Sequence, residues 1–152
     1  LGESSSDSLA LALTALSHKE RSVAELGSWL GERGVAAEEA EETLAQLIEV
    51  GAVDDARFAA RYAEDKRELS GWGSERIRAA LLERGVGRVD VEAAIGLDDE
   101  VTEVERAVAL LRDRGTELGD ERARSRALGL LARRGYGSEV AYEAIRVVER
   151  EG

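Results

Sequence analysis

The side chains best suited to chemistry in this sequence are arginines, and they are grouped. Residues 66–88 carry Lys66, Arg67, Arg76, Arg78, Arg84 and Arg88 against Glu68, Glu75 and Glu83, a net of +3. Residues 121–134 carry Arg122, Arg124, Arg126, Arg133 and Arg134 against Glu121 alone, a net of +4, whereas the matching stretch 19–34 balances at zero. Guanidinium groups bind carboxylates and phosphates through paired planar donors, so the chemistry on offer is anion recognition. Gly71-Trp72-Gly73 adds an aromatic ring between two glycines, placed either to stack on a base or a partner side chain, or to plug a gap between structural units. The candidate partner-binding residues are therefore Arg67, Trp72, Arg76, Arg78, Arg88, Arg122, Arg124, Arg126 and Arg133. A solvated, salt-bridged surface is the competing account of the same charges. With 2 Lys among 21 basic residues, genomic base composition is another source of the arginine bias.

Catalytic constellations are missing. His18 is the single histidine and has no Ser or Cys partner pattern near it, and there is no cysteine, so nucleophilic triads and thiolate or imidazole zinc sites are excluded. Asp54-Asp55 reads as a helix N-cap with favourable dipole charge rather than a metal or acid/base pair. No phosphate-binding Gly-Lys-Ser/Thr loop or dinucleotide fingerprint is present. The chain is expected to be a binding protein, not an enzyme, with no cofactor and no metal.

The elements that must hold these arginines follow from a repeat. LGERGVA at 30–36, LLERGVG at 81–87 and LARRGYG at 131–137 place Gly34, Gly85 and Gly135 at separations of 51 and 50 residues. Six residues after each glycine come Ala40, Val91 and Ala141, and ten after come Leu44, Ile95 and Ile145, apolar every time. Before each lies an i, i+3, i+4 apolar stripe: Leu26, Trp29, Leu30; Ile77, Ala80, Leu81; Ala127, Leu130, Leu131. Ser22 with Glu25 forms a capping box, and Ser74 and Asp120 are the corresponding N-caps. The motif is thus a helix ending. Arg33, Arg84 and Arg134 lay their stems over the stripe and their charge on the negative helix end, and Gly34, Gly85 and Gly135 suit the left-handed position after it. A row of anion contacts is the alternative role for the three arginines.

A helix before and a helix after each motif helix give three repeats of three helices, at 1–52, 53–97 and 98–152. Repeats of about 50 residues are near the lower limit for independent folding, so an elongated, curved, right-handed stack is expected. The opening LGESSSD is assigned to disorder or to a cap. With 43% hydrophobic residues, 4% aromatic, no proline and abundant Ala, Leu, Glu and Arg, the fold class is all-α.

The net charge of -11 argues against a simple electrostatic DNA binder, and the acid lies mostly in the first third, where 3 basic residues face 10 acidic ones. A helix-turn-helix reading fails on the last helix of the first repeat, which carries Glu38, Glu39, Glu41, Glu42 and Glu49 and no basic residue. No stretch reaches the roughly 20 apolar residues of a membrane span and no signal peptide opens the chain, so a soluble, cytoplasmic protein is expected. With no Met in the sequence, residue 1 is not expected to be the natural start. No coiled-coil pattern is present, and a monomer is expected.

Arg21-Ser22, Glu25-Leu26, Leu30 and Gly34, then Asp54-Asp55 with Arg57-Phe58-Ala59, then Gly71-Trp72-Gly73, Arg76-Ile77, Leu81 and Arg84-Gly85-Val86 make a pattern that resembles the RecX family of recombination regulators, from about residue 9 to 149. The resemblance implies tandem three-helix repeats and a small bacterial cytoplasmic protein that binds the RecA filament. It also implies that strand exchange, the coupled ATP hydrolysis and LexA cleavage are reduced. On that reading the acidic first repeat faces basic filament surface, while Arg67, Arg76, Arg78 and the Arg122 to Arg134 cluster reach acidic RecA residues or exposed phosphates. A direct single-stranded DNA binder competing with RecA, and a helical scaffold for another protein, are the alternatives.

Overall fold

A computed structural model describes residues 2–151. Among them nine α-helices account for the regular structure: α1 (Gly2–His18), α2 (Val23–Glu32), α3 (Ala37–Glu49), α4 (Asp55–Ser70), α5 (Ser74–Glu83), α6 (Arg88–Ile95), α7 (Glu100–Asp113), α8 (Glu121–Arg134) and α9 (Ser138–Glu151). The all-α expectation holds, and none of these helices is long and apolar enough to cross a membrane.

The three motif glycines end α2, α5 and α8 in the same way. Their φ angles are 85°, 84° and 94°, in the left-handed region that costs an L side chain about 1–2 kcal/mol. The following residue donates its N–H to the carbonyl five residues back: Val35 to Leu30 at 3.1 Å, Val86 to Leu81 at 3.1 Å and Tyr136 to Leu131 at 3.0 Å. Each glycine N–H bonds three residues back, to Gly31, Leu82 and Ala132. This pair of bonds satisfies carbonyls that a helix end otherwise leaves open.

The residues form two compact units, one of the chain up to Ala59 with Leu81–Val91, the other of Ala60–Ala80 with the chain from Glu92 on. The core of the first holds Ala12, Ala15, Leu26, Leu30, Ala40, Leu47 and Val53. That of the second holds Ala107, Val108, Leu111, Ala127, Leu131, Tyr136, Val140, Ala141, Ala144 and Ile145. The periodic stripes therefore point inward, and burying each large side chain is worth about 1.5–3 kcal/mol.

In the first unit the C-terminus of α5 meets the N-terminus of α2. The Ser22 hydroxyl donates to the Arg84 carbonyl at 2.7 Å, and the Arg84 guanidinium grips Glu25 with two bonds of 2.8 and 3.0 Å. The Ser22 hydroxyl also accepts from the Glu25 N–H, and the Glu25 carboxylate accepts from the Ser22 N–H, completing the capping box. Asp55 accepts from the Val23 N–H at 2.8 Å. Positive and negative helix ends face each other, an arrangement the peptide dipoles favour. In the second unit the C-terminus of α8 meets the N-terminus of α5: Gly73 N–H donates to the Arg134 carbonyl at 2.7 Å and Glu75 N–H to the Gly135 carbonyl at 2.9 Å.

Two local expectations are corrected. Residues 2–7 are helical rather than disordered or a cap; residue 1 lies outside the described residues. The physical reason is Ser8, which is buried and donates to Glu39 at 2.8 Å, so α1 is anchored there and continues toward its start with no proline to stop it. Ser74 is the first residue of α5, not the residue before it. Gly73 takes that place because a side chain there would lie 2.6 Å from the Gly135 carbonyl oxygen.

Candidate functional site

The turn between α4 and α5 carries Trp72, and the end of α8 holds that turn. Arg134 donates to the Ser70 carbonyl at 3.1 Å, and the Tyr136 hydroxyl donates to the Gly71 carbonyl at 3.1 Å. Burial, with the negative charge of Glu103 adding to it, pushes the Tyr136 phenol up to about 12, so it stays a donor across the physiological range. Trp72 itself is half-buried, and its backbone N–H donates to the Lys66 carbonyl at 3.0 Å. Its ring meets Tyr62 edge-on at 6.4 Å, with the Lys66 ammonium 4.8 Å and the Arg76 guanidinium 4.1 Å from the ring centre. Such cation–ring contacts hold the cations in place without neutralising them.

Arg76 also donates to the Arg133 carbonyl at 3.2 Å, so the structure brings the two basic clusters of the sequence together at one point of the second unit. From there Arg133, Arg126 and Arg122 run back along α8 at spacings of 7 and 4 residues, which puts them on one helical face spanning roughly 16 Å. All three are exposed, as is Arg76, and none of the four makes an ion pair among the described residues.

Of the other candidates, Arg67, Arg78 and Arg124 are engaged inside the protein. Arg67 is only 8% exposed: it donates to the Ala94 and Ile95 carbonyls at 3.5 and 3.0 Å and lies 3.6 Å from Asp98, closing the end of α6. Burial lowers its basicity and the Asp98 charge opposes this, so the structure gives Arg67 internal partners in place of an exposed guanidinium. Arg78 holds Glu92 with bonds of 2.8 and 3.1 Å and Glu75 with one of 2.9 Å; the Glu92 hydrogen bonds raise its pKa further, and its charge is compensated. Arg124 lies 3.1 Å from Glu149 of α9. Arg88 is exposed at the start of α6, within the first unit.

The three motif arginines share a position but not a role. Arg84 binds Glu25 and lies 4.7 Å over the Phe58 ring, Arg134 binds the Ser70 carbonyl, and Arg33 stacks on Trp29 at 3.9 Å. For Glu25, burial alone would raise the carboxyl pKa, but the Arg84 hydrogen bonds, the Ser22 N–H and the Arg84 and Lys19 charges outweigh it and hold the group below its ordinary range.

Sequence reasoning missed a second cation-bearing tryptophan. Trp29 is covered by Arg33 and, at 5.4 Å, by Arg21. The signal was present: Trp29 and Arg33 are four residues apart, as are Trp72 and Arg76. Trp29 also fits the spacing of the apolar stripe, which hides its pairing with Arg33.

The comparisons with known proteins agree with this architecture. Residues 9–47 match the family model for the first three-helix domain of RecX, and residues 54–95 match that for the second. The regulatory protein RecX of Mycolicibacterium smegmatis is 31% identical over 144 residues, covering 90% of this chain and 77% of that protein. That of Deinococcus radiodurans is 38% identical over 141 residues, covering 92% of this chain and 67% of that protein. The crystal structure of RecX from Lactobacillus salivarius superposes with a TM-score of 0.90 over 98% of this chain and 99% of that one at 21% identity, which supports the fold. With two domain models matched in order and relatives aligned over nine-tenths of its length, the chain belongs to the RecX family.

Proposed function

We propose that this protein is a regulator of DNA repair and recombination that binds the RecA filament and reduces its strand exchange, ATP hydrolysis and stimulation of LexA cleavage in the SOS response. It acts in the bacterial cytoplasm as a monomer. The observation that carries this reading is the run of uncompensated guanidinium groups Arg76, Arg133, Arg126 and Arg122 beside Trp72, on a chain of net charge -11. In an acidic protein with many arginines paired to carboxylates, four that have no carboxylate partner among the described residues and share one region form a local anion-binding face. Acidic RecA side chains, or phosphates of the DNA within the filament, supply the complementary charge.

Co-sedimentation with RecA filaments tests the reading directly. The wild-type chain pellets with filaments and slows DNA-dependent ATP hydrolysis, and the Arg76→Ala/Arg126→Ala/Arg133→Ala variant needs at least about tenfold more protein for the same inhibition, as the loss of three charged contacts implies. No pelleting by the wild type refutes the reading. Tight binding to an oligonucleotide without RecA, with a steep salt dependence, replaces it by competition for DNA.

A further inference from the structure

A second surface lies in the second unit and uses the opposite charge. Helices α7 and α9 pack on each other through the core, and on their outer side they leave a groove of about 680 Å³. Its apolar floor is Val101, Val104 and Tyr142; Val101 is 67% exposed and Tyr142 46%. Four carboxylates line it, Glu100 and Glu105 from α7 and Glu139 and Glu143 from α9. Glu143 is engaged by Arg146 at 2.6 Å and Arg150 at 3.7 Å. Glu100, Glu105 and Glu139 make no ion pair among the described residues. An exposed valine and tyrosine between unpaired carboxylates on both walls is a poor solution for a surface that meets only water.

We propose that this groove docks a basic amphipathic helix of a partner protein, with leucine-sized side chains on Val101, Val104 and Tyr142 and lysines or arginines toward Glu100, Glu105 and Glu139. The charge fixes the sign of the occupant, because an acidic or neutral segment would leave three carboxylates beside newly buried apolar surface. Backbone hydrogen bonding fixes its conformation. The described residues contain no strand edge to which an extended segment can add, so the occupant must satisfy its own N–H and C=O groups, as a helix does. The groove is formed by α7 and α9 and does not draw on the arginine face of α8, so this inference stands or falls separately from the proposed function.

The test uses the full chain, isotopically labelled for NMR, and two synthetic peptides of about 18 residues, five helical turns, each with leucines on one face. One carries lysines on its other face, the second glutamates. The lysine peptide is expected to shift α7 and α9 amides, and the Glu100→Gln/Glu105→Gln/Glu139→Gln variant to bind it about tenfold more weakly, the sum of three exposed charge pairs. Val101→Ser/Tyr142→Ser should weaken it further, and both positions are exposed enough for the variant to fold. Shifts spread over the glutamates of α3 instead, equal binding of the glutamate peptide, or unchanged affinity of the triple glutamine variant would overturn the proposal. So would concentration-dependent self-association abolished by Val101→Ser/Tyr142→Ser, which would make a second copy the occupant.

Discussion

The Ser22 hydroxyl donates to the Arg84 carbonyl at 2.7 Å, joining the residue that caps the start of α2 to the residue that follows α5, 62 positions away. Ser22 is fully buried and already caps α2 through the Glu25 N–H. One hydroxyl thus serves two helix ends. Removing it should cost a cap and take the hydroxyl donor from the part-buried Arg84 carbonyl, together about 2–3 kcal/mol. Asp120 caps α8 through the Ala123 N–H at an exposed position and has only that role. Thermal melts are expected to show Ser22→Ala falling by roughly 4–10 °C and Asp120→Ala by about half as much. Equal losses would mean that the Arg84 bond contributes nothing.

Glycines at the same motif position should differ in what they tolerate. An alanine Cβ at Gly34 meets nothing within 4 Å, so only the left-handed φ is strained and Gly34→Ala should cost about 1–2 kcal/mol. At Gly85 the Cβ falls 2.5 Å from that of Ala24, and at Gly135 it falls 2.6 Å from the Arg76 backbone nitrogen and 2.2 Å from the Arg76 Cβ. Overpacking adds about 1–3 kcal/mol, most at Gly135 where backbone is the obstacle. Denaturant unfolding should rank the losses Gly34→Ala, Gly85→Ala, Gly135→Ala in rising order.

Arg67 and Arg126 should separate stability from binding. Arg67→Ala removes the cation from the Ala94 and Ile95 carbonyls and from Asp98, and is expected to destabilise by about 2–4 kcal/mol. Arg126→Ala, at an exposed and unpaired position, should stay within about 0.5 kcal/mol of wild type in the same unfolding experiment while weakening filament inhibition.

The two carboxylates at the start of α2, Glu25 and Asp55, should act oppositely in acid. Glu25 has a folded pKa below its ordinary value, so its stabilisation is complete above the unfolded pKa of about 4.3 and is lost as pH falls through the folded value. Asp55 has a raised pKa, caused first by burial and then by the charges of Asp90, Asp54 and Glu25. Its ionisation therefore costs stability, and that cost is relieved as pH falls through the folded value. Between about pH 5 and 3, Glu25→Gln should lose less Tm than wild type, and Asp55→Asn, which keeps an acceptor for Val23, should lose more.

Much of the scaffold was readable in the sequence because its causes are local. The helix stripe is an i, i+4 relation, the capping box an i, i+3 relation, and the motif ending depends on a glycine's access to positive φ; each is set within a turn of chain. The repeat of 51 and 50 residues then counted the motif helices correctly. Where local rules missed, at Ser74 and at residues 2–7, a contact remote in sequence decided: Gly135 against Gly73, and Glu39 on Ser8.

Which arginines remain available was a question for the tertiary structure. Charge counts over 66–88 and 121–134 treat every guanidinium alike, yet Arg67 meets Asp98, Arg78 meets Glu92, Arg84 meets Glu25 and Arg124 meets Glu149, partners 14 to 59 residues away. Helix packing chose those partners, and it also set Arg76 beside Arg133. The sequence alone determined the three motif helices, their glycine endings and the repeat, since these depend on neighbours along the chain. Folding decided which charges are compensated, because Coulomb interactions depend on distance in space and not on order in the chain.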